Sequence, residues 1–486
     1  MEAVKALYAD VPMCVKTSEG LGGYFQSTLG VKQGCPLSPL LFGMYLDDLE
    51  GEMKAALTQG TPLDPPFLED FPVCCLMYAD DLAQAATSLS GLKKQMELLR
   101  DYANRWGLTI NAAKTHVVVF ANRRDKKAEA EVDICINGVQ VDVLESFTYL
   151  GVSMHCSSSF GSFAASLRKV SGRKALHCTR RKMASLKLSA PDIQCRLFDV
   201  MVDPVLSYGA EIWAPELLCQ EDPCNNPCEK VHLAFIRSLL GVRQGTANRV
   251  VLAEMGRWPL ALRWYKRIAK FYNGLLDASE EGLLARSLSV SCQLSLGIAE
   301  SIPISRRPWA GQLAAAFQKV GINMDLVSRS GLNIDTVIKN WKAWYLQSTR
   351  AASGTKIHHY VHQVREGLPE DGYLAPPYFS IVKRRADRRS LTQIRTGSHW
   401  LREETGRWER LEREQRVCPH CAQSDVRVVE DVEHMLFSCP SYSSVRERYQ
   451  CLNFSEINLH QFLQQDPIQL ASFSTLLVGS SIKILK

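Results

Sequence analysis

The sequence has no long hydrophobic run: nothing in its 486 residues approaches the roughly 18 consecutive apolar positions that a bilayer crossing needs. A spanning segment is thereby excluded. Met1-Glu2-Ala3-Val4-Lys5 lacks the basic-then-apolar layout of a secretory signal, and the expectation is a nuclear or cytoplasmic protein, neither secreted nor membrane-bound. Acidic residues are absent from Gly161 to Pro191. That same stretch holds Arg168, Lys169, Arg173, Lys174, Arg180, Arg181, Lys182 and Lys187, so its charge is unopposed and fits a surface that neutralises phosphates. Cysteine is not scarce, at 16 residues, yet no small-domain framework accompanies it. The thiols read as reduced, with Cys74 and Cys75 in core positions. With 46% hydrophobic and 22% charged residues, wholesale disorder is excluded and the length suffices for roughly three domains. Net charge is +6, but the first 120 residues carry 9 Lys+Arg against 14 Asp+Glu. The basic surplus therefore lies downstream, as expected of an acidic catalytic piece followed by regions that hold a polyanion.

Met77-Tyr78-Ala79-Asp80-Asp81 ends the apolar run Val73-Cys74-Cys75-Leu76-Met77 and precedes the weakly apolar Leu82-Ala83-Gln84-Ala85-Ala86. The pattern predicts a buried strand, a hairpin tip bearing two carboxylates, and a return strand. Adjacent aspartates repel unless a cation or donors neutralise them, and an oxygen-only site suits Mg²⁺. A solvated Asp-Asp turn is the alternative. Upstream, Gly30-Val31-Lys32-Gln33-Gly34-Cys35-Pro36-Leu37-Ser38-Pro39-Leu40-Leu41-Phe42 predicts a glycine-containing loop leading into a helix with Ser38 as N-cap and Pro39 at the first helical position.

These two blocks, in this order and spacing, resemble the G-V-x-Q-G-x-P-L-S-P-x-L-F and Y/F-A-D-D motifs of reverse transcriptases from non-LTR (LINE-type) retrotransposons. The resemblance implies RNA-directed DNA polymerase activity with an RNA template, a DNA primer and deoxynucleoside triphosphates. Asp80 and Asp81 would hold Mg²⁺, while Gln33, Gly34, Pro36, Ser38 and Tyr78 would line the template and nucleotide pocket. Gly107-Leu108 with Asn111, Lys114 and Thr115 matches the family's G-L-x-x-N-x-x-K-T block, making Lys114 a candidate proton donor or phosphate contact, or else a surface lysine after a turn. Phe147-Thr148-Tyr149-Leu150-Gly151 resembles the family's primer-gripping hairpin, with a core strand as the alternative. The family's third metal-binding aspartate and its fingers cannot be placed here. Asp10 lies in a connecting segment, and Asp47 and Asp48 fall on the helix after the Gln-Gly loop. The chain is therefore read as N-terminally truncated and inactive in isolation, the alternative being a non-catalytic nucleic-acid-binding remnant.

Between these blocks, Leu92, Met96, Leu99, Ala103 and Trp106 recur at helical steps, predicting an amphipathic helix from Gly91 to Trp106 ended by Gly107. His116 to Phe120 reads as a strand, Arg123 to Lys127 as a charged loop, and Asn137-Gly138 as a hairpin turn. Helices are expected over Cys195 to Trp213 and Val231 to Leu240. Cys219, Cys224, Cys228 and His232 have no zinc-site spacing and read as thiols in a loop. Glu254 to Leu260 matches a family block without an assignable chemistry. Lys383-Arg384-Arg385-Ala386-Asp387-Arg388-Arg389 is a nuclear address, a phosphate patch or a solvated helix face.

Cys418, Cys421, His434 and Cys439 form a C-x2-C-x12-H-x4-C pattern, three thiolates and an imidazole that make a closed tetrahedral zinc set. The fold class expected is α+β. A palm fragment of antiparallel sheet plus helices (1–155) precedes a basic helical thumb (156–275) and a helical connector (276–390). A zinc-knuckle-like module (391–450) and a tail (451–486) complete the chain.

Overall fold

The computed structural model describes residues 2–27, 30–32, 34–120, 133–156, 159–299, 301–368, 373–455 and 458–484. The chain divides into two compact units, Met1–Tyr149 and Leu150–Lys486. Gln33 and the charged loop at 123–127 lie outside the described residues.

In the first unit the helix Leu89–Arg105 starts at Ser88, whose hydroxyl accepts from the Gly91 N–H at 2.9 Å, and stops before Gly107 in the left-handed region (φ 64°). Both ends follow ordinary capping chemistry. Its sides serve two separate cores. One comprises Leu49, Met53, Leu63, Cys74, Cys75 and Tyr102, and the other Ile134, Ile136 and Val141 with Leu89, Leu92 and Met96 packed against them. Each fully buried Leu or Met here is worth about 1.5–3 kcal/mol. The expected single apolar face is thus corrected: Leu92 and Met96 pack on one core and Leu99 on the other, Ala103 is buried, and Trp106 stays 40% exposed. The wider burial takes in Gln95, which is fully buried while its amide donates to the Leu63 and Ala85 carbonyls at 2.8 and 2.9 Å.

The expected antiparallel sheet is also corrected. Among its described residues the first unit has six two-stranded ladders, and one of these, Asp142–Val143 with His116–Val117, is parallel. The strand at His116 is two residues long, against five expected. The Asn137-Gly138 turn does form, with both residues at positive φ (54° and 78°) as a mirror-image type I turn requires.

The second unit is helical around one continuous core. The helix Phe160–Ser185 packs against Pro191–Met201, Asp203–Leu206, Ala210–Leu218 and Pro227–Leu240. Where one helix was expected from Cys195 to Trp213 there are three, because Pro204 follows a break at Val202 and Gly209 turns at φ 67°. The connector is part of this core: Trp341 stacks on Tyr345 (5.1 Å, 11°) and Trp258 on Tyr373 (4.7 Å, 17°). So is the expected tail, since the helix Pro467–Ile484 packs on Arg385–Arg395 and buries Leu470, Ala471, Phe473 and Leu477. No helix among the described residues is long and apolar enough to cross a membrane.

Candidate functional site

The strands Cys75–Tyr78 and Asp81–Gln84 pair with Tyr78 opposite Asp81, leaving Ala79-Asp80 as a two-residue loop. Such loops want glycine where φ is positive. Ala79 nevertheless adopts φ 51°, a conformation that costs a residue with a Cβ of order 1 kcal/mol. The strain sits beside the two carboxylates, both of which face solvent. Burial is less than the sequence suggests: Cys74 and Cys75 are in the core, but Leu76, Met77 and Tyr78 are exposed. Tyr149 stands over this hairpin, its hydroxyl donating to the Leu76 carbonyl at 3.3 Å. Its pKa is raised by burial and by the nearby Asp81 carboxylate. The predicted primer-gripping aromatic and the aspartate turn therefore meet.

The loop preceding the helix Ser38–Tyr45 is latched to the helix Glu2–Ala9. Lys32 donates to the Leu7 carbonyl at 2.8 Å and lies over the Tyr8 ring, and the Tyr8 hydroxyl is 3.2 Å from Ser38 Oγ. Ser38 is not the N-cap. Leu37 occupies that position, and the Ser38 hydroxyl donates backwards to the Lys32 carbonyl at 2.6 Å, closing the loop that carries Gly34 (φ 83°) and Pro36. The Leu37 backbone N–H and, after it, the Tyr8 hydroxyl lower the Cys35 pKa. Asp47 and Asp48 lie in a turn between two helices, not on one, and Asp48 accepts from the Tyr102 hydroxyl at 2.5 Å. Lys114 ends a 3₁₀ turn, Ala112–Lys114, whose following Thr115 hydroxyl donates to the Asn111 carbonyl at 2.9 Å.

In the second unit, Leu150 and Gly151 form a turn at φ 48° and 77°. The Tyr208 hydroxyl donates to the Leu150 carbonyl at 2.9 Å and Arg168 to the Gly151 carbonyl. A Cβ on Gly151 would sit 2.9 Å from the Tyr208 ring. Tyr208 was not anticipated, because nothing local to it signals a contact with a turn far away in sequence. Arg168 is thereby withdrawn from the row of free cations, and so is Arg180, which donates to the Ala234 carbonyl at 3.2 Å with its pKa lowered by burial. Arg173, Lys174, Arg181, Lys182 and Lys187 stay exposed and Lys169 half-buried. The helix is N-capped by Ser159, and the Glu216 carboxylate accepts from Ser159, the Gly161 N–H (3.0 Å) and the Ser162 hydroxyl (3.2 Å).

The four predicted zinc ligands converge. Cys418, Cys421, His434 and Cys439 are all buried, with ligand atoms within 4.8 Å of one another. Cys418 and Cys439 sulfurs are 3.9 Å apart, Cys421 and Cys439 sulfurs 4.0 Å, and Cys421 Sγ is 3.3 Å from His434 Nε2. A tetrahedron with metal–sulfur bonds of about 2.3 Å has edges of about 3.8 Å, so these two sulfur–sulfur separations are close to such an edge and the cluster could hold a metal ion. Burial pushes the Cys418 thiol up to about 12. A cation is what would reverse that, since thiolates form in a dry cluster only against positive charge. The loop closes through a Val417–Val429 bridge, the Asp431 carboxylate accepts from the His434 N–H at 2.9 Å, and Arg446 donates to the Cys439 carbonyl at 2.7 Å. Cys219, Cys224, Cys228 and His232 do not converge; their partners are the Gln312 carbonyl, Tyr345, the Ala165 carbonyl and Glu229.

The block from Glu254 to Leu260 now has a role. Glu254 is fully buried and accepts from Tyr360 (2.6 Å), Tyr378 (2.7 Å) and Arg395 Nε (2.6 Å). Burial alone would raise its pKa, but Arg395 and the two phenols hold it below the usual value. Gly256 is at φ 67° with the Ala375 backbone where a Cβ would go. Arg257 donates to His232 Nε2 at 3.0 Å and bonds Asp199, which also takes Arg263 at 2.7 Å.

Residues 3–154 match the family described as reverse transcriptase (RNA-dependent DNA polymerase). The chain is 24% identical over 272 residues to the RNA-directed DNA polymerase from mobile element jockey of Drosophila funebris, covering 55% of this chain and 27% of the relative. The same element's enzyme in Drosophila melanogaster is 25% identical over 190 residues, 38% of this chain and 19% of that protein. A Transposon TX1 uncharacterized 149 kDa protein of Xenopus laevis is 31% identical over 112 residues, 23% of this chain and 8% of the relative. The chain thus spans about a quarter or less of the length of these relatives.

Proposed function

We propose, from the premise that residues 3–154 are a reverse transcriptase domain homologous to the RNA-directed DNA polymerases of non-LTR retrotransposons, that this chain's own residues serve RNA-templated DNA synthesis. The observation that carries the reading is the hairpin whose tip exposes Asp80 and Asp81 and whose Leu76 carbonyl accepts from the Tyr149 hydroxyl. Bound divalent metal supplies activation of the primer 3′-hydroxyl and neutralises charge on the leaving pyrophosphate. Asp80 and Asp81 offer hard oxygen donors for it, Gly34, Pro36, Ser38 and Tyr78 border the template and nucleotide, and Lys114 contacts phosphate. Tyr149 and the Leu150-Gly151 turn position the primer end. Asp80 and Asp81 are the only carboxylates assigned to that ion among the described residues, and the chain by itself is read as inactive, the alternative being a non-catalytic nucleic-acid-binding remnant of such an element. Duplex phosphates are held by the exposed cations of the helix Phe160–Ser185, and Cys418, Cys421, His434 and Cys439 hold one Zn²⁺.

The test is Mn²⁺ titration followed by electron paramagnetic resonance. Wild-type chain takes up a weakly bound ion that Asp80→Ala and Asp81→Ala each release. Identical titrations for all three would remove the metal role from this turn.

A further inference from the structure

Three side chains from distant parts of the second unit meet on its surface in a way the polymerase reading leaves unused. The Arg243 guanidinium lies 3.7 Å from the Trp400 ring centroid and 4.7 Å from that of Trp408, and the two indoles meet edge to face at 5.9 Å. Both tryptophans are open to solvent, at 43% and 56%. A single exposed indole needs no explanation. Two that converge on one arginine do, because Arg243 Nη2 has no hydrogen-bond partner, nor does Nδ1 of the adjoining His399, which is 3% exposed. Burial and the charges of Arg243, Lys356, His359 and Arg407 push the His399 pKa down to about 3. Glu404 answers part of that charge through Lys356 and Arg407.

The basic segment at 383–389 leads into this place. Arg388 is structural, donating to the Val382 and Lys383 carbonyls at 2.7 Å each, while Lys383, Arg384, Arg385 and Arg389 stay exposed. Arg389 lies over Gly241, where a Cβ would be 2.7 Å from its side chain, and Gln393 donates to the Gly241 carbonyl at 3.0 Å. Arg243, two residues on, has its N–H on Ser398 Oγ at 2.9 Å. Arg385 and Arg389 are one helical turn apart on the helix Arg385–Arg395, which precedes Ser398 and Trp400 in the chain.

The geometry points to a single-strand binding site in which the exposed indole face of Trp400 or Trp408, backed by Arg243, stacks an unpaired nucleobase while Arg389 and Arg385 take the flanking phosphates. Indole faces stack on any base, and arginine over an indole extends the platform. The inference stands apart from the polymerase site and from the basic helix. It assigns single strands here and leaves duplex to Arg173, Lys174 and Arg181.

Fluorescence anisotropy with a labelled oligouridine, and with a strand of equal length made of abasic ribose phosphate, tests it on the full chain. The abasic strand binds wild type roughly tenfold more weakly, as loss of base stacking demands. The double variant Trp400→Ala/Trp408→Ala binds oligouridine as weakly as wild type binds the abasic strand, with an unchanged salt slope, and Trp400→Phe/Trp408→Phe retains most of the affinity. Charge reversal at Arg173, Lys174 and Arg181 weakens duplex binding and leaves the base-dependent factor intact. Equal affinity of wild type for oligouridine and abasic strand would overturn the proposal even if the alanine variant does not fold. So would a folded alanine variant with wild-type affinity. An oligothymidine arm shows whether the platform takes RNA alone or either strand.

Discussion

Glu254 illustrates what a single residue does in this molecule: its carboxylate joins a helix at 248–255 to tyrosines at 360 and 378 and to Arg395. Breaking a buried pair leaves the partner charge uncompensated, at about 3–5 kcal/mol. Glu254→Gln is therefore expected to lower unfolding free energy by roughly 3 kcal/mol near neutral pH, read from the denaturant midpoint of the second unit. The pH dependence has a definite sign. A carboxylate whose folded pKa lies below its ordinary 4.5 contributes stability that is full above that value and lost as pH falls through the folded pKa. Wild type and variant should accordingly converge in acid and separate again above it. A constant difference across that range would mean that Glu254 acts by shape alone. The charge pair was not legible in the sequence, where Glu254 is only one residue of a matched block. Its partner lies 141 positions away, beyond what local pattern can specify. The aspartates, by contrast, were legible because the turn chemistry that places them is local.

At the scale of elements, the helix Phe160–Ser185 was visible as an absence of acid, but not which of its cations are free. Packing decides that: Arg168 and Arg180 turn towards carbonyls within the unit. Reversing Arg173, Lys174 and Arg181 to Glu should cut affinity for an RNA duplex and reduce the salt slope by roughly 2–3, at about 0.9 per phosphate contact. Reversing Arg180 should lower stability instead. An unchanged slope in the triple variant would remove this helix from the nucleic-acid surface. The zinc loop makes a second element-level prediction. The protein should carry about one equivalent of zinc, as one closed ligand set demands, and lose it in Cys421→Ser. Cys418, Cys421, Val432, Met435, Leu436 and Cys439 belong to the core of the second unit. Chelation should therefore both expose 417–442 to protease and lower the stability of the rest of that unit. A metal-free protein with a resistant loop would mean that the four side chains merely pack.

For the whole molecule, composition and motif order conveyed an acidic polymerase piece followed by basic helical regions. The grouping was harder to read. Helices buried from several sides carry mixed periodicity, so local pattern does not mark the connector as core, and Pro467–Ile484 closes the core through Phe473 and Leu477 rather than trailing from it. Several short two-stranded ladders replace the expected sheet, since two-residue strands such as His116–Val117 leave too little backbone to extend one.

The central proposal is that Asp80 and Asp81 belong to a polymerase metal site for which no third carboxylate is placed among the described residues. Primer extension on an RNA template, with Mg²⁺ and deoxynucleoside triphosphates, tests it most directly. The account predicts that wild type and Asp80→Ala alike give no product above background, whereas extension by wild type that Asp80→Ala abolishes would contradict it and require another carboxylate within the chain.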